Sequence, residues 1–255
     1  MSRQLNVVCV KWGSLYDSKY VNRLYRGVLK HSTRIVNFFC VTDDSTGIDE
    51  SVKCLPLQTL PFQDALNKAQ KKAQKKDGAY KKVAIFEPGF LPVTGPVLAL
   101  DLDVVITGPI DSLADFAPGQ VAMAPPFSRK GRIPTLGEGS VIKFEPDCHG
   151  FLYTDIANST ASMVSHTLGS EQTYTSIRAQ AHECFQPFPD DWIVSFKRHC
   201  RPKGLAKIIS APKKPKTAKV VCFHGRPNID EAITGYGSGF IKKVRPAQWI
   251  ADDWR

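Results

Sequence analysis

Behind the turn signal Gly95-Pro96 runs Val97-Leu98-Ala99-Leu100-Asp101-Leu102-Asp103-Val104-Val105-Ile106, apolar throughout except for two aspartates. Four apolar residues without alternation read as a strand buried on both faces. The run resumes at Val104, so the expectation is a single sheet strand interrupted by Asp101-Leu102-Asp103. Alternation along an extended chain puts Asp101 and Asp103 on one side, with Cα atoms about 6.5–7 Å apart. Two carboxylates held that close repel each other. A divalent cation between them removes the repulsion, and Mg²⁺ or Mn²⁺ prefers such hard oxygen ligands. The same spacing also occurs as ordinary turn or cap residues. Asp111, beyond Gly108-Pro109, reads as a helix cap.

Toward the N-terminus, 5–10 is a short apolar strand, and Lys11-Trp12-Gly13 follows as a loop. Val21, Leu24, Tyr25, Val28 and Leu29 then recur at helical spacing, with Asp17 or Ser18 as N-cap. A second strand, 35–41, ends at Thr42-Asp43-Asp44. Strand, helix, strand in that order is a parallel βαβ unit. After a connection marked by Pro56 and Pro61 come a lysine-rich helix and a second helical stretch, 82–86, stopped by Glu87-Pro88-Gly89.

Toward the C-terminus, 121–124 and 140–144 read as strands, and 155–167 and 171–181 as helices. A strand at 219–223 ends in His224-Gly225-Arg226-Pro227. Open α/β sheets hold their ligands at the carboxyl ends of strands, so His224 is a candidate third ligand to an ion held by the aspartates. A hydrogen-bonded loop histidine is the other reading. Gly225 lets backbone approach a phosphate closely, and Arg226 can pair with one. Gly235-Tyr236-Gly237-Ser238-Gly239 reads as a flexible stretch. Neither a repeat nor a Gly/Ser linker marks a domain boundary, and the length of 1–255 allows one large α/β domain or two small ones.

The chain has 255 residues with 34 Lys+Arg against 24 Asp+Glu, a formal charge of +10, and 42% apolar residues. That balance suits a globular chain and excludes disorder. No apolar run has the length of a membrane span. Seven scattered cysteines without a Cys-x-x-Cys pair, and no secretory leader, point to the reducing cytoplasm. The positive charge sits in 68–82, with seven Lys and one Asp, and in 213–219, with four Lys and no acid. Lys68, Lys71, Lys72, Lys75 and Lys76 form one helical arc beside Leu66, Ala69 and Ala73. It reads as a solvated face, or as a patch that holds the protein peripherally on anionic lipid at the inner face of a membrane. Nucleic acid fits poorly, because no aromatics or arginines interleave the lysines. Phosphate-loop, dinucleotide, Gly-x-Ser-x-Gly and zinc spacings do not occur.

A strand running into Asp-x-Asp, a later strand ending in His-Gly and an N-terminal βαβ unit together resemble the GT-A nucleotide-sugar glycosyltransferases. The likeness is to the glycogenin-like and lipopolysaccharide-galactosyltransferase-like group and its bacterial relatives. Cys40-Val41-Thr42-Asp43-Asp44, Glu171-Gln172 and Val221-Cys222-Phe223-His224-Gly225-Arg226-Pro227 fall in the same order. The resemblance implies that 1–255 is one α/β, Rossmann-like domain with a mostly parallel central sheet and helices on both faces. Residues 1–110 would be its nucleotide half and 111–255 its acceptor-facing half.

It further implies that Asp101, Asp103 and His224 ligate Mn²⁺ (or Mg²⁺) on the diphosphate of a nucleoside diphosphate sugar. Lys11, Trp12 and Asp43 would line base and ribose, with Lys82, Gly225 and Arg226 on the phosphates. The sugar would pass to a hydroxyl of a glycan, lipid-linked saccharide or protein. Gln172 takes the place of an amide near the sugar's reacting face in retaining members, with Glu171 as the acid before it. An inverting reaction would instead take Asp190 or Asp191 as general base. The rivals are a nucleotide-sugar or glycan-binding protein of the same fold without turnover, and a nucleotidyltransferase.

Overall fold

The computed structural model describes residues 4–72, 80–127, 136–167, 169–204, 206–237 and 244–255. The N-terminal βαβ unit forms as expected. β1 (Gln4–Lys11) leads to α1 (Ser18–His31), whose N-cap Asp17 accepts from the Lys19 N–H at 3.0 Å. β2 (Ile35–Thr42) returns parallel to β1, with Cys9 opposite Cys40 and Lys11 opposite Thr42. An edge strand absent from the sequence reading, β3 (Lys53–Pro56), pairs parallel with β2. It is four residues long and closes on a proline, which an edge tolerates.

β4 (Val97–Leu100) lies parallel to the other side of β1 and antiparallel to β7 (Glu138–Phe144). β6 (Val121–Ala124) pairs antiparallel with β7 and parallel with β8 (Phe185–Pro187). The resulting order is β3-β2-β1-β4-β7-β6-β8, a mostly parallel sheet.

The stretch 97–106 is not one interrupted strand. β5 (Val104–Ile106) belongs to a second sheet of order β5-β10-β9, in which β10 (Val220–Cys222) runs antiparallel to β5 and parallel to β9 (Ile193–Ser195). Asp101-Leu102-Asp103 is therefore the crossover between two sheets. The four apolar residues before the crossover and the three after it carry no sign of a change of partner, which is why the run looks continuous in sequence.

Alternation along the central strands supplies a core on each face. Leu5, Val7 and Cys9 of β1, Phe38 and Cys40 of β2, and Leu98 and Leu100 of β4 pack with Val21, Leu24 and Val28 of α1 and with the small sheet. Val8, Phe39, Val41, Val97 and Ala99 face the other way. There they meet the 3₁₀ helix Lys81–Phe86, expected as an ordinary helical stretch, in which Val83 to Phe86 are all buried. A run with no solvent face has no amphipathic period, and it stays short. α2 (Gln63–Lys72) carries Lys68, Lys71 and Lys72 in solvent over a buried Leu66, and Lys75 and Lys76 lie outside the described residues.

α3 (Asp111–Ala114) begins at Asp111, but its carboxylate does not cap it. It accepts from Ser32 Oγ at 2.6 Å and from the N–H and Oγ1 of Thr33 at 2.9 and 2.7 Å, tying down the end of α1. The helix expected at 155–167 divides at Ser159 into α4 (Phe151–Asn158) and α5 (Thr160–His166). α6 (Glu171–Ala181), capped by Ser170, falls where expected. α7 (Ala206–Ile209), α8 (Ile229–Thr234) and α9 (Trp249–Asp253) complete the described helices. Of the stretch expected to be flexible, Tyr236 bridges to Val244, and 238–243 lie outside the described residues. Among the described residues no helix is long and apolar enough to cross a membrane. All seven cysteines are free thiols.

Candidate active site

β1, β2 and β4 run parallel, so their carboxyl ends open on one edge, and the chain leaves β4 there to change sheets. A cleft of about 280 Å³ occupies that edge. Val10 and Leu102 line it with Trp12, Leu15 and Tyr16 from the loop after β1 and with Asp101, Asp103, Lys82 and Glu171. The crossover brings both aspartates to the cleft, while the Asp101 N–H donates to the Ser140 carbonyl at 3.0 Å and the Asp103 carbonyl accepts from the Phe223 N–H at 2.9 Å. One aspartate is thus tied to each sheet.

The electrostatics are those of an under-neutralised pair. Lys82 Nζ donates to Asp101 Oδ1 at 2.5 Å and to the Gly139 carbonyl at 2.8 Å. Burial by itself would depress the ammonium, but the charges of Asp101, Glu171 and Asp103 outweigh it and raise the Lys82 pKa. Asp103 accepts from Tyr16 Oη at 3.1 Å, yet burial and the neighbouring Asp101 charge push it up to about 7. Burial also raises Glu171, against the pull of Lys82. Its partner is Thr175 Oγ1 at 3.1 Å. Three carboxyl groups therefore share one lysine in a low-dielectric cleft.

Of the residues singled out in the sequence, Asp101, Asp103, Lys82, Trp12 and Glu171 meet here. The Trp12 ring is 42% exposed, with Lys81 Nζ 5.3 Å from its centroid. Lys11 and Asp43 do not line the cleft but tie its loops together. Lys11 is buried and donates to the Asp44 carbonyl at 2.9 Å, and Asp43 accepts from the Gly13 N–H at 3.0 Å. Gln172 is turned to the sheet, where its Oε1 accepts from the Gly139 N–H at 3.2 Å, and its neighbour Glu171 faces the cleft instead. The first residues of a helix point in directions about 100° apart, so only one of the two can face the opening.

The β10 end adjoins the crossover through the Phe223 N–H, but His224, Gly225 and Arg226 do not line the cleft. His224 Nε2 lies 2.7 Å from Ser195 Oγ, and its ring stacks on Phe127 at 5.9 Å. Gly225 has φ +66°, and Arg226 is ion-paired with Glu231 of α8. Asp190 and Asp191 line a different cavity, of about 160 Å³, with Phe127 and His199. Tyr16 is the cleft residue sequence reasoning missed. It lies in an irregular loop where no period marks it, and its only signal is its place one loop after the first strand.

The carboxylate pair suits a hard divalent cation: burial and the neighbouring Asp101 charge push the Asp103 carboxyl up to about 7, and a cation between the two would relieve both. The expected imidazole is engaged elsewhere, and among the described residues no three His, Cys, Asp or Glu side chains converge as a metal site.

No protein-family model and no curated protein matches the sequence. Solved structures do match the fold. A galactosyltransferase, LgtC, in complex with donor and acceptor sugar analogs superposes with a TM-score of 0.58 at 10% identity, covering 88% of this chain and 89% of its own. The glycosyltransferase GlyE of Streptococcus pneumoniae TIGR4 gives 0.60 at 12% identity, covering 98% of this chain and 61% of its own. Mouse xyloside xylosyltransferase 1 gives 0.53 at 14% identity, covering 88% and 98%. At such identities the likeness speaks for architecture alone. The chain has the fold of the GT-A glycosyltransferases.

Proposed function

We propose that this chain is a glycosyltransferase that binds a nucleoside diphosphate sugar in the Trp12–Asp103 cleft and passes the sugar to a hydroxyl acceptor. The observation that carries the reading is the cleft itself: an exposed indole and a charge-starved carboxylate pair at the carboxyl edge of β1 and β4, within a fold whose solved examples transfer sugars. The Trp12 face suits a nucleobase or ribose. Asp101 and Asp103 would hold Mn²⁺ or Mg²⁺, which would supply positive charge to the departing diphosphate.

When the bond from the anomeric carbon to the phosphate oxygen breaks, negative charge grows on that oxygen. Lys82, fixed between Asp101 and Gly139, contributes preorganised positive charge beside it. Tyr16 holds Asp103 in place through its hydroxyl. Glu171, as the side chain that faces the opening, takes the place at the sugar that the sequence gives to Gln172. LgtC has been solved as an active-site mutant in which glutamine becomes glutamate, so an acid is compatible with that fold. Retention is the reading this favours, because Asp190 and Asp191 lie in another cavity. Residues 1–110 form the nucleotide half and 111–255 the acceptor-facing half.

The test is a panel of UDP- and GDP-sugars with Mn²⁺, assayed for release of nucleoside diphosphate. Release by the wild type and its loss in a folded Asp103→Asn variant support the proposal. Nucleotide binding by thermal shift without release from any donor, with or without simple sugar acceptors, would favour the non-enzymatic rival.

A further inference from the structure

The sequence gives the anion-pairing role after β10 to Arg226, but Glu231 already neutralises that guanidinium. A different cation occupies the position. Gly225 has φ +66°, and a Cβ built on it would lie 3.1 Å from Lys197 Nζ, so the ammonium sits against the glycine backbone. Lys197 stands on the π-helical turn Phe196–Cys200 that follows β9, with Arg198 on the same turn and Arg201 just after it. Among the described residues none of these three side chains forms an ion pair with a carboxylate. Burial, Arg201 and Arg198 all lower the Lys197 pKa, and burial, Lys197 and Arg198 lower that of His224. Like charges crowd one another there without a counterion.

A concentration of positive charge beside a positive-φ glycine has the chemistry of a phosphate site. Its placement selects which phosphate. Phe223, two residues before Gly225, donates its N–H to the Asp103 carbonyl at 2.9 Å, so the cationic group and the carboxylate pair sit at adjoining chain ends.

We propose that Lys197, seated on Gly225 with Arg198 beside it, is the positioning cation for the diphosphate of the nucleotide donor. The identity of the phosphate's carrier rests on the glycosyltransferase reading; the anion site itself does not. Arg226 serves instead to fasten the loop to α8.

Isothermal titration of inorganic pyrophosphate, UDP and uridine at low salt, with EDTA present, tests the assignment. The wild type is expected to bind pyrophosphate and UDP with an affinity that falls steeply with salt. Lys197→Ala and Lys197→Gln should each weaken both by about tenfold or more, the scale of one charge-assisted hydrogen bond. Uridine binding should be unaffected, Lys197→Arg should restore most of the loss, and Lys71→Ala on α2 should change nothing. Equal pyrophosphate affinity in wild type and Lys197→Gln, or a wild type that binds no pyrophosphate, would overturn the proposal. Pyrophosphate binding through Lys197 in a protein that turns over no nucleotide sugar would remove the glycosyltransferase reading and keep the site. Turnover by Lys197→Gln at the wild-type KM would do the reverse.

Discussion

Replacing Asp103 by Asn removes one of the two crowded carboxylates while keeping its shape and an oxygen for Tyr16 Oη. The wild-type carboxyl sits at about 7 against an ordinary 3.8. Folding therefore holds its proton more tightly than the unfolded chain does. By linkage, that contribution to stability is complete below pH 3.8 and is lost progressively as pH rises through about 7. At 1.36 kcal/mol for each pKa unit the full difference corresponds to about 4 kcal/mol, and relaxation of a water-lined cleft brings it to roughly 2–4 kcal/mol. Metal-free Asp103→Asn should thus be more stable than wild type at pH 8, by several degrees in Tm, with the gap closing toward pH 4. Added Mn²⁺ should raise the Tm of the wild type and leave the variant unmoved. Thermal melts in EDTA and in Mn²⁺ across pH 4–9 measure both effects. A gap independent of pH, or a variant less stable than wild type at pH 8, would refute the argument that Asp101 and burial crowd this carboxyl.

Lys82→Met strands Asp101, Asp103 and Glu171 without their shared cation, and turnover of the donor should fall about 10²–10³-fold, measured as kcat at saturating sugar nucleotide. The same variant should melt earlier at neutral pH, because a half-buried ion pair is broken and not replaced. Trp12→Ala should weaken UDP binding by about 1–3 kcal/mol, the worth of a base stacked on an aromatic ring, and leave kcat at saturation nearly unchanged. Asp111→Ala loses the three hydrogen bonds from Ser32 and Thr33 and should cost about 1–3 kcal/mol of stability in urea unfolding, with donor turnover at low temperature intact.

The parts of the fold that periodicity controls were legible before any coordinates. β1, α1 and β2 announce themselves because each buries a continuous run or a helical stripe. Partner choice was not legible. Val104-Val105-Ile106 pairs with β10, a strand more than a hundred residues away, and nothing in three apolar residues names that partner. β3 escaped notice because four residues ending in Pro56 look like a connection.

The site divides in the same way. Asp101 and Asp103 stood out because charge inside an apolar run is conspicuous. Lys11, Asp43 and Gln172 have the right neighbourhood, and their side chains bond to the Asp44 carbonyl and to the Gly13 and Gly139 N–H groups. Glu171 lines the cleft while Gln172 bonds to Gly139, a difference set by helix phase. Arg226 is ion-paired with an acid on α8 that local motif reading does not reveal, and Lys197 is the cation set against Gly225.

Anomalous diffraction from crystals grown with MnCl₂ and UDP, collected near the manganese edge, bears most directly on the cleft as a nucleotide-sugar site. The expected map has one manganese peak between the carboxylates of Asp101 and Asp103, the base against Trp12 and the diphosphate reaching Lys197. Nucleotide density elsewhere on the molecule, with those carboxylates still held only by Lys82 and Tyr16, would contradict it.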